Sequence, residues 1–167
     1  MGVPWYADTV KGFLHHDDLA IIGRLSAGGH GAVEQAQIDA WRHEIGILRQ
    51  ALGNLPETSS PDQPSYIIFE YPIPRVGSRI DTVLVFPRII VVIEFKVGER
   101  DVTTKAHDQV WDYALDLKNF HEPSHMPPIA PVLVLTEAET AFGREQELRQ
   151  SHDGVFEPVP ASAAELP

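Results

Sequence analysis

The sequence predicts an α/β domain with a mixed sheet. Two segments, residues 32–52 and 103–120, carry apolar residues at the spacing of amphipathic helices. Between them, residues 66–97 contain three extended runs rich in β-branched residues, and another buried run follows at residues 130–135. From residue 32 onward, the predicted order is therefore helix, three strands, helix and strand.

The chain has 167 residues, a length that suits one domain. Its composition excludes several classes of protein and of site. A formal net charge of −11 does not attract nucleic acid, so binding it would need a local basic patch, a metal ion or a second domain. The lack of cysteine excludes disulfides, thiolate zinc sites and thiol catalysis. No signal peptide, lipidation motif or apolar run near the ~20 residues of a membrane span is found, so we expect a cytoplasmic protein without membrane contact.

The chain up to residue 52 is predicted to be mainly helical. Residues 5–25 form an N-terminal helical segment, with candidate core positions at Leu14, Leu19, Ile22 and Leu25. A flexible GGHG turn follows at residues 28–31; it lacks the lysine and the strand context of a phosphate loop. The helix over residues 32–52 has its apolar stripe at Trp41, Ile45, Leu48 and Leu52.

The second half is predicted to form the sheet and its covering helix. The three strands span residues 66–71, 79–86 and 89–97, and the tight connection at Pro87-Arg88 indicates an antiparallel hairpin. The third strand is apolar at nearly every position, which is typical of a central strand. Thr103 or Thr104 caps the next helix, whose stripe is Ala106, Val110, Tyr113, Ala114 and Leu117.

The C-terminal residues differ in composition from the rest of the chain. From about Ser151 they are rich in Pro, Ala and Ser, which predicts an exposed terminus or the start of a linker to a downstream domain. The predicted division is therefore a domain over residues 1–150 and a tail over residues 151–167.

Three charged residues interrupt the predicted hairpin, in the run RIDTVLVFPRIIVVIEFK. Glu94 and Lys96 are two apart and point to one face of their strand, and hairpin pairing brings Asp81 close to Glu94. Two neighbouring carboxylates repel unless a cation lies between them, and hard oxygen ligands favour Mg²⁺ or Mn²⁺, to which the Phe95 carbonyl would add a ligand. Lys96 would then orient water or hold a phosphate oxygen. The alternative is a plain ion pair of Glu94 with Lys96 at the strand edge.

Three further residues extend this candidate site. Glu44 lies within the apolar stripe of its helix, where a carboxylate needs a partner such as a metal; alternatively it reaches solvent beside Arg42 or Arg49. Gln109 and Tyr113, four apart on the later helix, share a face on which the amide would orient the lysine or water. The alternative is a core tyrosine beside an exposed glutamine.

Together these motifs resemble the PD-(D/E)xK nuclease superfamily. The resemblance rests on Glu44, GSRID ending at Asp81, EFK at residues 94–96 and QVWDY at residues 109–113. The glycine before the aspartate and the QxxxY pattern are most similar to its RecB-like branch. Residues 30–137 more narrowly resemble the nuclease-like region that precedes schlafen-type ATPase/helicase domains, in proteins often linked to phage defence or DNA processing. Ile80 stands where many members have proline, at a position that varies across the superfamily.

The resemblance implies a restriction-endonuclease-like αβββαβ core and a Mg²⁺- or Mn²⁺-dependent deoxyribonuclease. Asp81, Glu94, Glu44 and the Phe95 carbonyl would bind metal, Lys96 would position the nucleophilic water, and Gln109 and Tyr113 would orient the site. The expected partners are DNA, with RNA left open, and a covalently linked ATPase/helicase domain; a homo-oligomer is also left open. The competing hypothesis is a catalytically inactive module for docking nucleic acid or protein.

A few basic residues are candidates for contacts to nucleic-acid phosphates. These are Arg75, Arg79 and Lys105, with Arg88 and Lys118 as further candidates, although scattered solvated cations explain each one equally well. His15 and His16 are adjacent on a predicted helix and point about 100° apart, so they do not converge on one ion.

Overall fold

The computed structural model describes residues 3–29, 31–55, 62–73, 77–139, 149–151 and 153–166. Its helices are α1 (Val10–His15), α2 (Asp18–Gly28), α3 (Gln35–Asn54) and α4 (Thr104–Phe120), with a short 3₁₀ turn at Glu122–Ser124. Its strands are β1 (Tyr6–Thr9), β2 (Tyr66–Pro72), β3 (Arg79–Val85), β4 (Ile90–Lys96), β5 (Ile129–Leu135) and β6 (Val159–Ser162). None of the helices in these ranges has the length and apolar character needed to cross a membrane.

The six strands form one mixed sheet in sequence order, which confirms the predicted α/β class. Strands β1, β2, β3 and β4 pair antiparallel with one another, whereas β4, β5 and β6 pair in parallel. The order α3, β2, β3, β4, α4, β5 is the αβββαβ order that the sequence predicts. β4 lies between β3 and β5, as expected for its apolar sequence.

The sheet is covered on both faces because successive strand residues point to opposite sides. On β4, Ile93 and Phe95 pack with helices α1, α2 and α3, whereas Ile90 and Val92 pack with α4. The predicted stripe of α3 is fully buried, and so is that of α4. Thr103 caps α4 by accepting a hydrogen bond from the Ala106 N–H, at 3.2 Å.

The prediction of one helical segment over residues 5–25 is wrong. Residues 6–9 form β1 instead, because they pair with β2 in the register that joins Tyr6 to Phe69. The helical part is split in two by local caps: Thr9 accepts from the Gly12 N–H, and Asp17 accepts from the Leu19 N–H. Leu19, a candidate core position, is 71% exposed, whereas Ile22 and Leu25 are buried.

The C-terminal residues also differ from their prediction as an exposed tail. Val159–Ser162 forms β6, which pairs in parallel with β5 in the register Val132 to Val159. Val155 is fully buried in the core beneath α4, and Ala161 is buried as well. Proline does not prevent this because β6 pairs with β5 and with no further strand in the described sheet, an edge position that tolerates a missing N–H donor.

Candidate active site

The hairpin of β3 and β4 opens at the level of Asp81 and Glu94. The last pair in the register of the two strands joins Thr82 to Ile93, and Asp81 and Glu94 are the next residues on each strand. The Phe95 N–H donates to the Asp81 carboxylate at 2.8 Å instead of to a β3 carbonyl. The Asp81 carboxylate therefore replaces a main-chain carbonyl of β3 as the hydrogen-bond acceptor. The carboxyl groups of Asp81 and Glu94 lie beside each other at the point where the two strands separate.

Lys96, Gln109 and Glu94 form a closed ring of hydrogen bonds. The Lys96 Nζ donates to Glu94 Oε1 at 2.8 Å and to Gln109 Oε1 at 2.9 Å. The Gln109 Nε2 donates to the same Glu94 oxygen at 2.8 Å and to the Tyr113 hydroxyl, also at 2.8 Å. The structure thus brings together the lysine, the carboxylate and the glutamine–tyrosine pair of α4.

The second oxygen of Glu94 lacks an N–H donor among the described residues. Glu94 is 4% exposed, and its Oε2 is buried on the side away from Lys96 and Gln109. Burial raises the pKa of Glu94, whereas the contact with Lys96 and a side-chain hydrogen bond with Asp81 lower it in part. Two buried carboxyl groups in contact are costly unless they share a proton or a cation.

Two more carboxyl groups of the predicted set adjoin Glu94. Glu44 on α3 is 6% exposed, so it does not reach solvent beside Arg42 or Arg49. Burial raises the pKa of Glu44 to about 8, and the charges of Glu70 and Glu94 add to this effect. Burial also raises the pKa of Asp81 well above its usual range, as do Glu94 and Glu44, against the opposing bond from the Phe95 N–H.

Glu70 on β2 completes this group, and the sequence analysis missed it. The Trp41 Nε1 donates to Glu70 Oε1 at 2.9 Å, and burial raises the pKa of this carboxyl too. The signal was available, since a glutamate inside the apolar strand YIIFEYP raises the same question as Asp81 in β3. We call Glu44, Glu70, Asp81 and Glu94 the acidic cluster.

The basic residues predicted to contact phosphates lie in separate places on the molecule. Arg79 donates to the Glu70 carbonyl at 2.9 Å, and its guanidinium lies 4.5 Å from the centre of the Trp5 ring. Lys105 is exposed in the first turn of α4, four residues before Gln109 and thus on the same side of the helix. Lys118 donates to the Pro127 carbonyl at 2.9 Å. Arg75 lies outside the described residues, and Arg88 lies in the hairpin turn, at the opposite end of β3 and β4 from the acidic cluster.

The histidines singled out in the sequence do not form a metal site. His16 contacts Asp8 at 3.1 Å, whereas the His15 ring contacts the Lys11 carbonyl at 2.7 Å. Across the described ranges, no three His, Asp or Glu side chains converge closely enough to hold an ion as they stand. The carboxyl groups of the acidic cluster nevertheless raise one another's pKa values.

The chain was also compared with known proteins. No family model matches it, nor does any curated protein or any solved structure. The chemistry of the acidic cluster is therefore the basis for any proposal about function.

Proposed function

We propose that this chain is a Mg²⁺- or Mn²⁺-dependent nuclease domain that hydrolyses phosphodiester bonds of DNA. The observation that carries the proposal is the contact of the Glu94 and Asp81 carboxyl groups at the opening of the β3–β4 hairpin, where Glu94 Oε2 is buried without an N–H donor from a described residue. Lys96 neutralises the other Glu94 oxygen only. Two carboxyl groups in contact repel unless they share a proton or a cation.

Carboxylate and carbonyl oxygens are the kind of donor that a hard divalent cation prefers, although the carboxyl groups would have to turn toward one centre to bind it. Asp81, Glu94 and Glu44 would hold it with carboxylate oxygens, and the Phe95 carbonyl is a further candidate. When bound, such a cation supplies positive charge to the phosphate oxygens and lowers the pKa of water. Burial and the neighbouring carboxylates raise the pKa of Glu44 to about 8 and that of Asp81 well above its usual range, so a compensating cation or proton favours both groups.

Lys96 is the residue that would act on the reacting phosphate or water. An ammonium group has three N–H donors, and the described residues accept two of them. The third is free to donate to the attacking water or to a phosphate oxygen on which negative charge increases. Gln109 fixes the lysine by binding both Lys96 and Glu94, and Tyr113 fixes the amide in turn. A donor positioned before the reaction needs no reorganisation during it.

The main electrostatic obstacle to DNA binding is the net charge of −11, which repels a polyanion. Lys105 is exposed on the side of α4 that bears Gln109 and would contact the substrate backbone. Arg79 already contacts the Glu70 carbonyl and the Trp5 ring, so it is a weaker candidate for a phosphate contact. We infer that binding relies on the divalent cation and on a further part of a larger protein. Such a part would be an ATPase/helicase domain in DNA processing or phage defence.

The net charge also favours a second candidate function. An acidic domain with the same fold but no cleavage would serve as a docking module for a protein partner or for nucleic acid. The two functions differ in what they require of Glu94 and Lys96, since only hydrolysis needs both.

The experiment is a cleavage assay with the purified chain on single- and double-stranded DNA and on RNA, with Mn²⁺, Mg²⁺ or a chelator. Glu94→Gln and Lys96→Met keep the side-chain volumes, and each is expected to lower the cleavage rate by about 10²–10³-fold or more. Glu122→Gln, which removes an exposed carboxylate on the 3₁₀ turn, is the matched control and should cleave like the wild type. Cleavage that persists in Glu94→Gln or in Lys96→Met would refute the assignment of these residues, and cleavage that persists in excess chelator would refute the metal dependence. Mn²⁺ binding without cleavage would favour the docking module.

A further inference from the structure

A groove lies beside α4 on the outer face of β2 and β3 and extends to the hairpin turn at residues 87–88. Helix α4 packs against β4 and β5, and next to it Ile68, Tyr71 and Val85 remain only partly buried. The groove has a volume of about 680 Å³, within the range of roughly 300–1,000 Å³ that is usual for small-molecule pockets. We call it the β2–β3 groove. Its wall includes Tyr66, Tyr71, Phe86, Arg88, His121 and Met126.

The charge of this wall differs from that of the chain as a whole. The chain has 24 Asp and Glu residues, yet none of the described ones lines the groove. Arg88 is exposed, and no described carboxylate forms an ion pair with it. The His121 ring adds no charge at neutral pH, because burial and the neighbouring His125 lower its pKa. On an otherwise acidic molecule, the described part of this wall therefore favours an anionic group, at Arg88.

Aromatic rings determine the shape of ligand that the wall can accept. Tyr66 is 44% exposed, so much of its side chain is available for contact. The rings of Tyr71 and His121 meet edge to face, with their centres 6.0 Å apart, and His121 Nδ1 lies 2.6 Å from the Ser124 hydroxyl. Rings that are already held in place lose little freedom when a ligand packs against them. The wall therefore favours a flat, apolar ligand body.

We propose that the β2–β3 groove binds a small aromatic ligand that carries one anionic group, with its rings against Tyr66 and Tyr71 and the anion at Arg88. A single anion matches a single arginine, whereas a nucleic-acid strand brings one phosphate with every nucleotide to an acidic molecule. A second copy of the chain is a less suitable occupant, because two chains of net charge −11 repel each other. The proposal is independent of DNA cleavage, since Arg88 lies at the opposite end of β3 and β4 from the acidic cluster.

The test is fluorescence titration of the full chain with two probes that share one ring system. Anilinonaphthalene sulfonate carries an anionic group, and phenylnaphthylamine is its uncharged counterpart. We expect Arg88→Met to lower the affinity for the sulfonate about fivefold and to leave that for the neutral probe unchanged. Arg42→Met is the matched control, because Arg42 is an exposed arginine on α3, and this variant should bind both probes like the wild type.

Tyr66→Ala tests the aromatic part of the site. Loss of the ring should lower the affinity for both probes about tenfold. Leu19→Ala removes a side chain that is 71% exposed on α2, and it controls for the loss of an exposed apolar group elsewhere. Circular dichroism verifies the folding of each variant. Should Tyr66→Ala not fold, Tyr66→Thr also removes the ring and keeps a residue that favours strands.

Two results would overturn the proposal. If folded Arg88→Met and Tyr66→Ala both bind the sulfonate like the wild type, the probe binds elsewhere and the groove is not its site. If sedimentation shows a dimer that dissociates as the sulfonate is added, a second copy of the chain occupies the groove. Neither result bears on the nuclease proposal, which is tested at Glu94 and Lys96.

Discussion

Two groups of charged side chains in this molecule compensate their charges in opposite ways. The N-terminal ion cluster comprises Asp8, His16, Asp18, Arg24 and Arg49. In it, Asp8 accepts from the Thr9 N–H at 2.7 Å and contacts both His16 and Arg24. Arg49 donates to Asp18 at 2.8 Å and to the main-chain carbonyls of Leu14 and His16. Each carboxylate there has a cation of its own.

The acidic cluster has more carboxyl groups than cations. Four carboxyl groups share Lys96 and Arg79, and Glu94 Oε2 is buried with no N–H donor among the described residues. The N-terminal ion cluster joins α1, α2 and α3 and is complete as it stands. The difference indicates that the first group is structural and that the second requires protons or a cation from outside the chain. The following predictions test that difference, beginning with the largest expected effect.

The pH dependence of stability should separate the two clusters. The pKa of Glu44 rises from 4.5 to about 8 on folding, so the folded chain binds more protons than the unfolded chain between those values. In chelator, the free energy of unfolding should therefore fall as the pH rises from about 5 to about 8, by a total on the order of 4 kcal/mol. Urea titrations across this range measure it.

Glu44→Gln is the variant that checks the origin of this slope. It removes the titrating group and should flatten the dependence, although Glu70, Asp81 and Glu94 shift in the same direction and retain part of it. A slope as steep in Glu44→Gln as in the wild type would show that burial of Glu44 is not its source.

Arg49→Met should have the next largest effect, and on stability alone. The change removes the ion pair with Asp18, two hydrogen bonds to carbonyls near the end of α1 and the contact of the guanidinium with the Phe13 ring, which lies 5.1 Å away. We expect a loss of about 3 kcal/mol, measured by urea denaturation. The Mn²⁺ affinity of the folded variant should equal that of the wild type. A parallel loss of Mn²⁺ affinity would mean that the two clusters do not act independently.

The sequence predicted those parts of the fold that local periodicity determines. The stripes of α3 and α4 and the hairpin of β3 and β4 repeat at helical or strand spacing, and all three are confirmed. The two edge strands were missed because they exist through pairing with distant residues, as in Tyr6 with Phe69 and Val132 with Val159. A four-residue strand contains too few positions for its period to be recognised.

The same distinction applies to the candidate site. Asp81, Glu94 and Lys96 were predicted because charges inside an apolar strand are conspicuous, and the structure places them in one network with Gln109. Glu70 is equally conspicuous in β2, but its left-handed backbone has no sequence signal, since glutamate rarely adopts it. Arg79 contacts the Glu70 carbonyl and the Trp5 ring. These are tertiary contacts, which its sequence neighbours alone do not indicate.

The smallest predicted effect is a difference in sign between two Asp-to-Asn variants, measured by thermal unfolding in chelator. Asp81→Asn keeps an acceptor for the Phe95 N–H and removes a costly buried ionisable group from the acidic cluster, so we expect a gain of about 1 kcal/mol. Asp18→Asn breaks the pair with Arg49 at a carboxylate whose side chain is 48% exposed, so the expected loss is below about 1 kcal/mol.

Addition of Mn²⁺ should reverse the order of the wild type and Asp81→Asn. The wild type and Asp18→Asn gain stability from the bound ion by mass action, whereas Asp81→Asn gains little because it has lost a ligand. An Asp81 that was merely half of a structural ion pair would behave as Asp18 does, and its replacement would destabilise the chain with or without the ion. Because the sign in chelator and the response to Mn²⁺ are separate measurements, agreement of both would distinguish a cation site from a buried acidic cluster that only retains protons.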